Sequence, residues 1–251
     1  MEWTTWTLLS RRLSKNPNFY NLQGRSKRHL SDHVSELIET ALKELSETKC
    51  VALGAEAAIA RGWVDEAGRV SLPAGSGLQE DDIEDLVEPL NLGLVAAYYG
   101  IRHTTMEVMH VALSARTRLK GMLEVLCASF ECKAACPLRR GEEVRLRRAA
   151  AHLELSMPKE AEYGDPATKA NILLQMHFSR QRVSPEQEQD TRQLLRAALP
   201  VLHAMVDVVA SSGWTRPALA CMDLCQMVVQ GMWVQRDSPL LQVPHFTEEH
   251  V

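Results

Sequence analysis

Aromatic side chains are scarce in this chain: Phe, Trp and Tyr make up 5% of 251 residues, although 45% of the residues are hydrophobic. The apolar material is mostly leucine, alanine, valine and methionine, a mixture that favours helices packed on helices. An excess of positive charge is also missing. The formal net charge is −4, whereas a sequence-independent nucleic-acid binder is normally basic, because phosphate neutralisation supplies its affinity. Any nucleic-acid contact should therefore be local or supported by further domains. No uninterrupted apolar run approaches the ~20 residues that span a bilayer. The start, MEWTTWTLLSRRL, lacks the small-residue cleavage site of a signal peptide. Without such a signal the six cysteines read as reduced thiols, in the cytoplasm or nucleus. A phosphate-cradling loop is absent as well, since no glycine is followed at the right distance by Gly-Lys-Ser/Thr. Asp65-Glu66-Ala67-Gly68 echoes a helicase acidic box, but with no phosphate loop to hold magnesium against, it reads as a turn. Spacing assembles no Ser/His/Asp or Cys/His catalytic set. The expectation is a chain without catalysis of its own, without a metal and without a cofactor.

What is present is helical periodicity. Trp3, Trp6, Leu9 and Leu13 share one side of a first helix, with Arg11 and Arg12 opposite. Asn16-Pro17-Asn18 ends it. A second helix is predicted over residues 29–46, with the stripe Leu30, Val34, Leu37, Ile38, Ala41, Leu42 and Leu45. Residues 50–53 and 70–72 are β-like and suggest a wing hairpin, and residues 75–88 are acidic and read as a mobile linker. From Pro89 onward helices follow one another. They are predicted at 91–101, from a Thr104/Glu107 capping box, at 118–130, 142–153 and 167–180, and finally at 217–233. The longest lies before that last one. Ser184-Pro185-Glu186-Gln187 combines an N-cap, a first-turn proline and a reciprocal glutamine, and Gly213 marks the stop. Pro200 sits inside this helix and removes one backbone hydrogen bond.

The runs RHLSDHVSELIE (28–39), PLNLGLVAAYYGIRHTT (89–105), DPATKANILLQMHFSR (165–180), AMVDVVASSGW (204–214), MVVQGMW (227–233) and VPHFTEEH (243–250) resemble the Brr-two type spliceosomal RNA helicases. These are superfamily-two enzymes with two helicase cassettes. The front is similar to the end of the winged-helix domain in the second, non-remodelling cassette, and the rest to the Sec sixty-three unit that follows. The resemblance implies a mainly α fold: a partial winged helix with a short β-wing, then a Sec sixty-three-type helical bundle with one long ratchet-like helix. It divides the chain into the winged-helix end (1–53), an insertion and acidic linker (54–88), the bundle (89–236) and the start of a truncated helix–loop–helix domain (237–251). The implied role is that of a nuclear, non-catalytic accessory segment of a splicing helicase. It would guide RNA and dock spliceosomal proteins, without a membrane. Alternatives are a pure protein scaffold, or the Sec sixty-three unit of the activating-signal cointegrator helicase or of the endoplasmic-reticulum translocon component.

In such helicases the ratchet helix lines the nucleic-acid channel. Carried over, the strand-facing positions are Arg192, Gln193, Arg196, Pro200 and His203. The rival reading of these residues is a solvated face. Other clusters carry weaker signals. Cys127, Cys132 and Cys136 lie near each other, with His110 or His152 as further donors, but their spacing is not that of a zinc site. Cys221 and Cys225 read as core, and His29 and His33 as surface or capping residues. Arg139, Arg140, Arg145, Arg147 and Arg148 form a basic patch, read as a solvated face or as a contact for RNA or an acidic partner. A truncated winged helix would leave Trp3, Trp6 and Leu9 poorly covered, a surface for self-association.

Overall fold

The computed structural model describes residues 7–22, 24, 26–63, 69, 80–158 and 161–250. Trp3, Trp6, the acidic-box echo and the β-like run 70–72 lie outside the described residues. The chain divides into two compact units, residues 1–88 and 89–251.

In the first unit, α1 (Leu8–Lys15) buries Leu13 and leaves Leu9 half-covered. A 3-10 turn, Pro17–Tyr20, ends it, and Arg12 stands 5.8 Å from the ring centroids of both Phe19 and Tyr20. Helix α2 (Lys27–Glu47) starts two residues earlier than its apolar stripe suggests. Ser26 caps it, its Oγ accepting from the His29 amide while it also bonds the His29 ring at 2.9 Å. None of the 21 residues of α2 is fully buried. Strand β1 (Val51–Leu53) pairs with β2 (Val87–Pro89), so its partner is the end of the segment read as an acidic linker. Between the strands α3 (Gly54–Ala60) buries Ala57 and Ala58 completely. Gly54 makes the turn possible: at φ +55° its amide donates to the Leu86 carbonyl at 2.8 Å. Arg61 and Glu88 form an ion pair beside it.

The second unit is a helical bundle: α4 (Asn91–Tyr99), α5 (His103–Ala112), α6 (Leu119–Ala128), α7 (Phe130–Ala135), α8 (Glu142–Ala150), α9 (Pro166–Phe178), α10 (Pro185–Ser211) and α11 (Thr215–Gln230). Every residue from Thr168 to Met176 is buried, and so is Phe178. Helix α9, not the long α10, is thus the enclosed element, packed against α6, α7, α8, α10 and α11. Its polar groups find partners inside: the Gln175 amide donates to Asn171 Oδ1 (2.7 Å) and the Leu155 carbonyl (3.1 Å), and accepts from the Leu155 amide (2.8 Å). Among the described residues no buried side-chain nitrogen or oxygen lacks a partner. Helix α10 has a window long and apolar enough to cross a membrane by length and composition, with mean hydropathy 1.5. Of that window 44% is buried inside the bundle, which leaves its other face outward.

Two sequence expectations fail for one physical reason. The Thr104/Glu107 capping box does not form: α5 begins after Arg102 and has no local side-chain cap. The predicted helix 118–130 breaks at Ser129, which caps a new helix, α7. The two helix starts supply each other instead. Glu131 of α7 accepts from the Arg102 amide (2.8 Å) and the Thr105 hydroxyl (2.6 Å), while Thr105 Oγ1 accepts from the Phe130 amide (3.0 Å). Arg102 lies over the Phe130 ring at 3.9 Å, closing the corner. A tertiary carboxylate outcompetes the local one because it satisfies two donors at once.

The far end of the bundle is tied by the chain after α11. Trp233 packs edge-on to Phe178 and donates its indole N–H to Ser179 (2.8 Å). Arg180 donates to the carbonyls of Gly231 (2.9 Å) and Leu241 (3.4 Å).

Candidate nucleic-acid interface

Helix α10 starts on the predicted capping box: Ser184 Oγ accepts from the Gln187 amide, and Gln187 Oε1 accepts from the Ser184 amide. Leu194, Ala198, Val201, Leu202, Met205, Val208 and Val209 are buried, which aims the opposite face outward. That face presents Arg192, Gln193, Arg196 and His203 exposed, and Pro200 half-exposed. All five positions singled out from the sequence therefore lie on one side of the helix. Arg192 pairs with Glu188 one turn earlier. Among the described residues Arg196 and Gln193 have no side-chain partner. Pro200 has no amide hydrogen, so the Arg196 carbonyl lacks its helical donor.

At the other end of the stripe α4 leans against α10. The Tyr99 hydroxyl donates to Asp207 Oδ2 at 2.8 Å, and the Tyr99 ring lies 6.2 Å from His203. The bond to the Asp207 carboxylate, with burial, pushes the Tyr99 phenol up to about 12. Tyr98 stands in solvent, 81% exposed. Neither tyrosine is singled out by the sequence, although the pair sits in a resemblance-bearing run. A groove of about 690 Å³ borders the first turns of α10, where Arg180 and Arg182 from the preceding loop line the same space as His177, Thr191 and Arg192. The stripe is mixed in charge, since Glu188 and Asp207 accompany its two arginines.

The helix is anchored by a buried ionic cluster invisible as such in the sequence. Lys169 of α9 is wholly buried, and its ammonium donates to three acceptors at 2.8 Å: the Pro137 carbonyl, Glu142 Oε2 and Asp190 Oδ2. Arg139 grips Asp190 with both terminal nitrogens, so it belongs to this cluster and not to a solvated basic face. Burial alone would raise the Asp190 carboxyl; the hydrogen bonds from Arg139 and Lys169 outweigh it and hold the group below 3.8. Asp190 precedes Arg192 by two residues, so the cluster fixes where the outward arginines begin. The one available signal was a lysine inside the apolar stripe of Ile172, Leu173 and Met176.

The cysteines singled out from the sequence lie inside the bundle. Cys127, Cys132 and Cys136 are buried, and burial pushes the Cys132 and Cys136 thiols up to about 12. Cys221 is buried against the Met122 sulfur at 3.5 Å, and Cys225 is half-buried. Among the described residues no group of three or more His, Cys, Asp or Glu is arranged to hold a metal ion.

The comparisons agree with this architecture. Residues 89–249 match the Sec63 Brl domain family, and residues 1–55 match a Winged Helix-turn-helix domain. The U5 small nuclear ribonucleoprotein 200 kDa helicase of Homo sapiens is 42% identical over 253 residues, covering 100% of this chain and 10% of that protein. The DExH-box ATP-dependent RNA helicase DExH12 of Arabidopsis thaliana is 43% identical over 249 residues, 99% of this chain and 10% of the relative. The activating signal cointegrator 1 complex subunit 3-like protein of Dictyostelium discoideum is 37% identical over 251 residues, with coverages of 100% and 10%. The chain spans about a tenth of the length of these relatives. With its bundle of helices around α9 and its winged-helix front, the chain belongs to the Sec63 Brl domain family.

Proposed function

We propose that this chain is a nuclear, non-catalytic accessory segment of a pre-mRNA-splicing RNA helicase, guiding RNA along α10 and docking spliceosomal proteins. The observation that carries the RNA half is the outward stripe of Arg192, Gln193, Arg196, Pro200 and His203, held on a 27-residue helix whose other side is core. Such residues meet phosphates and sugars without reading sequence, and the uncommitted Arg196 is the strongest of them. Identity of 42% to the U5 helicase against 37% to the cointegrator-type relative favours splicing. In this reading residues 1–53 close a winged helix, 54–88 are an insertion, 89–236 form the bundle and 237–251 open a helix–loop–helix domain.

The test is Arg192→Ala with Arg196→Ala in a helicase that carries this segment. The expected outcome is weaker crosslinking of single-stranded RNA and a salt slope lowered by up to about 1.4, two contacts at roughly 0.7 each. Unchanged crosslinking and unwinding favour the scaffold reading, which has its own support in the balancing carboxylates Glu188 and Asp207. The chain by itself turns over no ATP in this proposal. RNA-stimulated hydrolysis by the purified chain, after contaminant controls, refutes that.

A further inference from the structure

A second cleft of about 410 Å³ opens on the bundle where the start of α6 meets α11. Arg118, Lys120 and Arg216 line it, all three exposed and, among the described residues, none engaged in a side-chain hydrogen bond or ion pair; Asp223 is the carboxylate among the described lining residues. This concentrates positive charge on a chain whose net charge is −4. The cleft is apolar between the cations, with Leu119, Leu155 and Val234 in its wall. The adjoining face of α11 carries Leu219 and Met222, 56% and 46% exposed.

From this combination we infer that the cleft docks an acidic segment of a partner protein, seated by an apolar side chain and steered by Arg118, Lys120 and Arg216. The inference rests on the docking half of the function proposed above. Charges at the rim of an interface steer and select a partner, and the apolar wall supplies burial that a purely ionic contact lacks. RNA fits this cleft less well, because among the described residues no aromatic side chain lines it to stack a base. Two features add to the field: neither α6 nor α11 has a side-chain cap at its start.

The experiment measures fluorescence anisotropy of a short fluorescein-labelled peptide of aspartate and glutamate around one central leucine, with the full chain. The intact chain binds it. The triple variant Arg118→Glu, Lys120→Glu, Arg216→Glu, with an unchanged far-ultraviolet spectrum, binds at least roughly tenfold more weakly. A peptide with serine in place of leucine also loses roughly tenfold. The variant Arg192→Ala with Arg196→Ala binds the peptide as the intact chain does, which separates this site from the RNA face. The inference is overturned by any of four results. The intact chain fails to bind the peptide; charge reversal has no effect; the serine peptide binds equally well, leaving diffuse attraction only; or charge reversal abolishes binding of an oligouridine but not of the peptide, which assigns the cleft to RNA.

Discussion

Replacing Lys169 with methionine removes the ammonium from the centre of the buried cluster and leaves a side chain of similar length. Glu142 and Asp190, with side chains 1% and 3% exposed, then remain inside without the donor they shared at 2.8 Å. Removing one partner of a buried pair costs about 3–5 kcal/mol. Arg139 still holds Asp190, so the loss belongs near the lower end, about 3 kcal/mol, with Glu142 carrying most of it. At about 3 kcal/mol per molar urea, reasonable for a chain of this size, the midpoint of unfolding of the bundle falls by about 1 M. Trp214 and Trp233 report on that unit by fluorescence. Adding Glu142→Gln to Lys169→Met removes the stranded charge and should return about half of the loss, about 1–2 kcal/mol. The pH dependence has a definite sign. Asp190 is held below 3.8, so its contribution is complete above that value and disappears as pH falls through the lower folded value. The variant lacks part of this contribution, and the gap between it and the unsubstituted chain narrows in acid. A loss under about 1 kcal/mol at neutral pH, or a double variant no more stable than the single, refutes the cluster as an anchor.

Two further outcomes test other joints. Gly231 ends α11 at φ +61°, and a Cβ there would lie 3.1 Å from His177 Cε1; Gly231→Ala should cost about 1–2 kcal/mol and lower Tm by a few degrees in a thermal melt. In an ultraviolet titration of the phenols, Tyr99 should ionise near 12, and Asp207→Asn should bring it down towards 10. Because the folded value is raised, the stability this bond contributes is full below 10 and is lost as pH rises through about 12.

The readable parts of the chain were those set by local chemistry. Ser184, Pro185 and Gln187 announce the start of α10, and its alternation of apolar and polar residues orients Arg192, Arg196 and His203 outward as found. The unread parts depend on residues distant in sequence. Glu131 is a surface-like acid in any local window, yet it caps a helix that begins near Arg102. Arg139 sits among arginines and reads as solvated, but its partner Asp190 lies 51 positions away. Among the described residues β1 pairs with Val87–Pro89, the end of a stretch that reads locally as an acidic linker. The groove beside Arg192 arises because a short loop folds Arg180 and Arg182 back against the next helix, which no periodicity encodes.

The exchange of caps between Thr105 and Glu131 ties the fates of two otherwise separate segments. Neither first turn can unwind without stranding a donor of the other, so α5 and α7 should open and close together as one cooperative element. The corner where they meet is thereby a latch: a disturbance entering through the loop before His103 is felt at once beyond Ser129, on the helix that supports α10 from beneath.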